Sequence, residues 1–245
     1  MKSWDSSEKW YTDCVGEKGH YYHQAIVLPA ALRLLSLKKG SLLDLGCGQG
    51  VLARHIPKET DYWGIDESKE LIASAKKLTH RDRTEFLVGD VAKEIPLEKK
   101  DFDFACFILS LQNMEAPDLA IQTARKHLKK GGKLLIVLNH PFFRIPRQSS
   151  WGEDAPKKLR YRRIDSYMSA QKIPIQTNPG RGAKSSTTFT YHRPISAYIS
   201  FLVKAGFSIQ AIEEWCSDKK SEGPKARMED RARKEFPLFM AILAS

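Results

Sequence analysis

The chain is poor in cysteine: four in 245 residues (Cys14, Cys47, Cys106 and Cys216), with no Cys-x-x-Cys pair. That spacing argues against a zinc site and a disulfide framework, and it fits a reducing compartment. No stretch approaches the ~20 consecutive apolar residues of a membrane-spanning helix. The opening "MKSWDSSEKW" lacks the apolar core of a secretory leader. No internal repeat or low-complexity tract is visible. These absences leave a soluble cytoplasmic protein without a metal site as the expectation.

What is present suits one α/β domain. Hydrophobic residues make up 42% of the chain, enough for a sizeable core. The formal charge is +11 and unevenly placed: 21 basic against 19 acidic residues in 1–140, and 19 against 10 in 141–245. A basic second half suits an anionic small molecule or a nucleic acid, or is a solvated surface.

From Leu42 to Leu138, short apolar runs alternate with helical stretches. "SLLDL", "DYWGID", "TEFLVGD", "FDFACFILSL" and "KLLIVLN" read as strands. Between them, "GVLARHI", "SKELIASAKKL" (with Ser68 as N-cap) and "APDLAIQTARKHLKKGG" read as helices. Such alternation predicts right-handed crossovers and a doubly wound, mostly parallel sheet. Residues 140–190, rich in Pro, Arg, Ser and Gly, read as a long irregular insertion. "ISAYISFLVKAGF" then reads as a helix, and "FSIQAIEEW" and "FPLFMAILA" as closing strands joined by a charged loop at 217–235. "YYHQAIVLPAALRLLSL" reads as an N-terminal helix bent or broken at Pro29.

Three glycines follow the first strand, in Gly46-Cys47-Gly48-Gln49-Gly50. In an open parallel sheet, ligands bind beyond the carboxyl ends of the strands, where glycine lets the backbone approach closely. A dinucleotide site wants G-x-G-x-x-G. Here the spacing is G-x-G-x-G, with Asp44 two residues ahead, where it would repel a pyrophosphate but complement a cationic ligand. An NAD-dependent oxidoreductase is disfavoured on that ground. Asp66 ends the second strand and suits two ribose hydroxyls. Asp90 ends the third and suits an exocyclic amine, with Val91 beside it for the ring.

With "LLDLGCGQG", "WGIDES", "FLVGDV", "FDFACFILSLQNM" and "LKKGGKLLIVLNH" in that order, residues 40–140 resemble the class I S-adenosylmethionine-dependent methyltransferases. The resemblance implies an α/β fold: a doubly wound, seven-stranded, mostly parallel sheet of order 3-2-1-4-5-7-6, the seventh strand antiparallel, with an insertion after strand five. It implies S-adenosyl-L-methionine as cofactor, held by Asp44, Gly46, Cys47, Gly48, Gly50, Asp66, Glu67, Asp90, Val91 and Leu109, with Tyr11 of the N-terminal segment over the methionine end. The expected organisation of the single domain is a helical lid (1–39), a cofactor-binding core (40–139), a substrate-covering insertion (140–193), and a closing helix and strands (194–245).

A sulfonium-borne methyl group needs orientation and, where the nucleophile carries a proton, a base. His140, directly after strand five, and His23, in the N-terminal helix, are the candidates; His192 is a weaker one. Arg144, Arg147, Arg160, Arg162, Arg163 and Arg193 suit a carboxylate or phosphate on the acceptor. "NHPF" at 139–142 is not the [DNS]-P-P-[YF] motif of amino-methylating DNA enzymes: His replaces the first Pro, and it follows the fifth strand. The expected function is methyl transfer to a small molecule, an anionic one being suited by the basic second half and these arginines. RNA as acceptor is the alternative, and a non-catalytic binding protein is a more distant one.

Overall fold

In the computed structural model, the structure describes residues 16, 19–95, 97–176 and 187–245. A seven-stranded sheet carries the fold. Its parallel strands are β1 (Gly40–Leu45), β2 (Thr60–Asp66), β3 (Thr84–Val88), β4 (Phe102–Ile108) and β5 (Leu128–Asn139). Two hairpins follow β5: β6 (Ser149–Asp154) with β7 (Leu159–Ile164), and β8 (Gln171–Gln176) with β9 (Thr187–His192). The closing strands are β10 (Ile209–Trp215) and β11 (Phe239–Ala244). The sheet order is β10-β11-β5-β4-β1-β2-β3, with β11 antiparallel to both neighbours. With the hairpins set aside, this is the expected order 3-2-1-4-5-7-6.

The sequence patterns explain which strands lie inside. β1 and β11 read as nearly unbroken apolar runs, and both are covered on two faces. β10 alternates half-buried and exposed residues, as an edge strand covered on one face should. The helices are α1 (Leu28–Leu35), α2 (Lys69–Leu78), α3 (Pro117–His127), α4 (Ile195–Lys204) and α5 (Ala226–Glu235). α1 packs on one face of the sheet through Leu28, Ala31 and Leu35. On the other face lie α3, through Ala120, Ile121 and Ala124, and α4, through Tyr198 and Leu202. Ser68 caps α2 as expected, its hydroxyl accepting from Leu71 N at 3.2 Å. α4 ends at Gly206 (φ +80°), where Phe207 N reaches back to Leu202 O.

Four sequence expectations change. "GVLARHI" forms only a 3-10 turn, Leu52–Arg54, because the six residues between Gly50 and Pro57 are too few for a stable helix. The third helix stops at His127, and the strand already begins at Leu128. The insertion is two ordered hairpins around the irregular connections. The charged loop at 217–235 contains α5, whose Arg233 pairs with Glu229 one turn back (3.3 Å). At the N-terminal end, a π-helical turn, His23–Val27, precedes α1, and Pro29 sits in the first turn of α1 where no N–H is needed.

Candidate functional site

A cavity of about 740 Å³ opens beyond the carboxyl ends of β1 to β4. Its position follows from the fold: each parallel strand delivers a loop to the same edge. Gly46 and Gly48 come from the loop after β1, Asp66 and Glu67 from the end of β2. Asp90 and Val91 follow β3, and Leu109 follows β4. His23 lines the N-terminal side. The structure thus brings eight of the expected residues onto one wall.

The glycine loop is tight for two different reasons. At Gly46 (φ +76°), an added Cβ would lie 2.6 Å from Ser110 Cβ, so the loops after β1 and β4 can touch only if that residue has no side chain. Gly50 instead makes room for the Phe86 ring, 2.8 Å from where its Cβ would be. Its absence of a side chain serves the core, and it does not line the cavity. Gly48 N donates to Asp66 Oδ2 (2.9 Å) and Ser68 N to Asp66 Oδ1 (3.0 Å), fixing the carboxylate at the tip of β2. Asp90 is set in the same manner by Ala92 N (3.0 Å) and faces Lys93 (3.2 Å).

The floor after β4 is equally fixed. Leu109 adopts φ +56°, a conformation uncommon outside glycine. Its N–H donates to Val137 O (2.8 Å), its carbonyl accepts from Gln112 Nε2 (2.9 Å), and Ser110 Oγ donates to Leu45 O (2.7 Å).

Asp44 lies beneath the cavity rather than on its wall. It is buried, accepting from Tyr62 Oη (2.6 Å) and Cys106 Sγ (3.5 Å). Burial is the main cause that pushes its pKa up to about 6; the two hydrogen bonds oppose the shift. Cys47 is also buried behind the wall, its thiol pushed up by burial. Tyr11 lies outside the described residues.

His140 is corrected as a base. It is buried away from the cavity, its Nε2 donates to Glu214 Oε1 (2.6 Å), and its Nδ1 accepts from Phe142 N and Phe143 N (3.2 Å each). Neither ring nitrogen can meet a substrate. His192 ends β9 rather than opening a helix, and its Nε2 donates to Tyr167 O (2.7 Å). His23, by contrast, faces the cavity with no hydrogen-bond partner among the described residues. Burial first, then His20 and His55, lower its pKa to about 4, so it is neutral near pH 7.

The six arginines do not reach the cavity. Arg144 holds Asn139 Oδ1 (2.7 Å), Arg147 Pro174 O (2.9 Å) and Arg162 Phe143 O (2.9 Å). Arg160 pairs with Glu229 (2.8 Å), Arg163 with Asp165 (2.9 Å), and Arg193 grips Glu115 O (2.6 Å). What the sequence reading missed is the far wall: Glu115 beyond the 3-10 turn Leu111–Asn113, and Lys172, Phe189 and Tyr191 of the β8–β9 hairpin. The period-two pattern of "TTFTYH" was the available signal, since it puts Phe189 and Tyr191 on one face.

The donor named by the resemblance fits these residues. Gly46 and Gly48 line the cavity with backbone alone, Asp66 and Asp90 present carboxylates, and Val91 gives an apolar contact.

Comparison with known proteins agrees with the fold. Residues 43–136 match the family model described as a methyltransferase domain. Over 86 residues the chain is 36% identical to the 18S rRNA (guanine-N(7))-methyltransferase of Mus musculus, covering 34% of this chain and 30% of that one. Over 143 residues it is 26% identical to the ubiquinone biosynthesis O-methyltransferase of Coxiella burnetii, covering 56% and 60%. The chain therefore spans less than two thirds of these relatives. An S-adenosylmethionine dependent methyltransferase structure from Mesorhizobium loti shares the fold with a TM-score of 0.68 at 24% identity, over 90% of this chain and 98% of that one. No helix among the described residues is long and apolar enough to cross a membrane.

Proposed function

We infer that this chain, a class I methyltransferase by its domain and fold, is an S-adenosylmethionine-dependent enzyme acting on a small-molecule acceptor. When bound, the donor supplies a methyl group on a positively charged sulfur, activated for displacement. The chain's own task is orientation and exclusion of water. Asp66 and Asp90 accept hydrogen bonds from the donor's ribose and adenine ends, Gly46 and Gly48 admit its amino-acid portion, and Leu109 forms the floor. Glu67 adds negative charge to the same wall, and buried Asp44 adds it from below. His23, unprotonated and unpartnered among the described residues, is the group available to take a proton from the acceptor. A pKa of about 4 makes it a weak base, matched to a nucleophile that needs little help.

The observation that carries the small-molecule reading is the size of the cavity and its walling on two sides. Its volume lies in the range of metabolite sites, and the β8–β9 hairpin supplies a wall opposite the strand tips. The RNA alternative has less support, although one relative is named for an rRNA. Much of the basic charge of 141–245 is held in ion pairs or in hairpin packing: Lys157–Asp154, Arg160–Glu229, Arg163–Asp165 and Lys225–Glu153. A phosphate-tracking strip needs cations that are free to meet phosphates.

Calorimetric titration with S-adenosylmethionine tests the site. Asp66→Ala is expected to weaken binding more than tenfold, because charge-assisted bonds are lost. Unchanged affinity would refute the assignment.

A further inference from the structure

The far wall of the cavity carries a compact arrangement that the methyl donor does not use. Lys172 Nζ lies 4.8 Å from the centroid of the Phe189 ring and 5.5 Å from that of Tyr191. It also lies 3.5 Å from Glu115 Oε1, while Tyr191 Oη donates to Glu115 Oε2 at 3.3 Å. Two ring faces, a carboxylate and a phenol thus surround one ammonium group. Hairpin register builds the arrangement, since Lys172 stands opposite Tyr191 and Pro174 opposite Phe189. Arg193 braces it from behind: it bonds Met114 O (3.3 Å) and Glu115 O (2.6 Å) and stacks 5.2 Å from the Tyr191 ring.

The charge of the lining points the same way. Four carboxylates (Asp66, Glu67, Asp90 and Glu115) face the cavity against two ammonium groups, Lys93 and Lys172, and each of those is already paired with one of the acids. In a protein of formal charge +11, the cavity is net negative. Asp66, Glu67 and Asp90 belong to the donor's half, so on the far wall an acceptor meets Glu115 and two aromatic faces gathered around Lys172. A cation would be attracted by both.

We propose that Phe189, Tyr191 and Glu115 form an acceptor subsite for an organic ammonium group, which Lys172 of the chain itself fills until the acceptor displaces it. The inference rests on the small-molecule reading above and names its substrate class: an amine-bearing compound, bound by its protonated nitrogen. The same surroundings that hold the Lys172 ammonium suit an alkylammonium, and the Lys172 side chain is exposed, with solvent beside it to receive the displaced ammonium. This reverses the expectation of an anionic acceptor, which rested on the basic second half and its arginines.

The test uses three probes of one shape, 3-phenylpropylamine, 3-phenylpropan-1-ol and 3-phenylpropanoate, titrated into the full-length protein saturated with S-adenosylhomocysteine. The amine is expected to bind at least tenfold more tightly than the alcohol, and the carboxylate not measurably. Lys172→Ala should tighten amine binding about fivefold by removing the resident cation, and Glu115→Gln should weaken it about tenfold. Equal binding of all three probes, preference for the carboxylate, or weaker amine binding by Lys172→Ala would overturn the proposal. Binding of S-adenosylhomocysteine to the unaltered protein is read separately. If that fails, the donor site is wrong; if it succeeds while the amine fails, the ammonium subsite alone is wrong.

Discussion

Replacing Asp44 by Asn should make the protein more stable and a poorer binder of its donor. In the folded chain, burial raises the Asp44 pKa from 3.8 to about 6. Between those values the native state holds a proton that the unfolded state has released. Stability from this group is therefore present at pH below about 4 and is lost as pH rises through 6. A shift of about two units corresponds to about 3 kcal/mol at pH 7.5. Asn is nearly isosteric, and its carbonyl can still accept from Tyr62 Oη. The amide NH2 then replaces the oxygen that accepts from Cys106 Sγ, and loss of that acceptor returns about 1 kcal/mol of the gain. The expected net stabilisation is about 1–2 kcal/mol at pH 7.5, or roughly 2–8 °C in melting temperature for a chain of this size.

Thermal unfolding followed by circular dichroism at pH 4, 5, 6 and 7.5 gives the readout. The gain of Asp44→Asn over the natural protein should shrink as pH falls and vanish or reverse near pH 4. Affinity for S-adenosylmethionine at pH 7.5 should drop severalfold, since a negative charge beneath a cationic ligand is gone. Parallel melting profiles at all four pH values would refute the reasoning, because the buried carboxylate would then cost the fold nothing.

Two other substitutions separate packing from binding. His140→Ala should lower the urea midpoint by the equivalent of about 2–4 kcal/mol, since the N–H groups of Phe142 and Phe143 lose their acceptor. Its affinity for S-adenosylhomocysteine should stay within twofold, and a large loss of affinity would bring the histidine back to the site. Gly46→Ala should destabilise by about 2–4 kcal/mol, combining an unfavourable positive φ with the contact to Ser110. Adding Ser110→Gly should recover only the contact part, and full recovery in a denaturation series would show that φ at Gly46 does not matter.

The core of the fold was legible because local pattern and burial agree there. β1, β4 and β5 are apolar on both faces, so their runs stand out, and α2 announces itself through Ser68 and its spaced apolar residues. The insertion was harder to read. β6 and β7 form a two-stranded, half-exposed sheet, so their alternation mixes Trp151 and Tyr161 with Arg160 and Arg162, both of which stack on Trp151. α5 was hidden because its stability comes from charge: Arg160 of β7 reaches Glu229, and only Ala232 is buried.

The site divides along the same physical line. Strand-end residues such as Asp66 and Asp90 were predictable, since chain order in a parallel sheet fixes where strand tips lie. Whether a side chain at such a tip faces the ligand is decided by its neighbours across strands. Asp44 turns toward Tyr62, eighteen residues away, and His140 toward Glu214, seventy-four residues away. No spacing rule reports either contact. Net charge is a coarse guide for a related reason: a sum over residues ignores pairing. Of the cations that make the second half basic, Lys157, Arg160, Arg163, Lys172, Lys225 and Arg233 pair with carboxylates, and the carboxylates that line the cavity come from the strand-end loops of the first half.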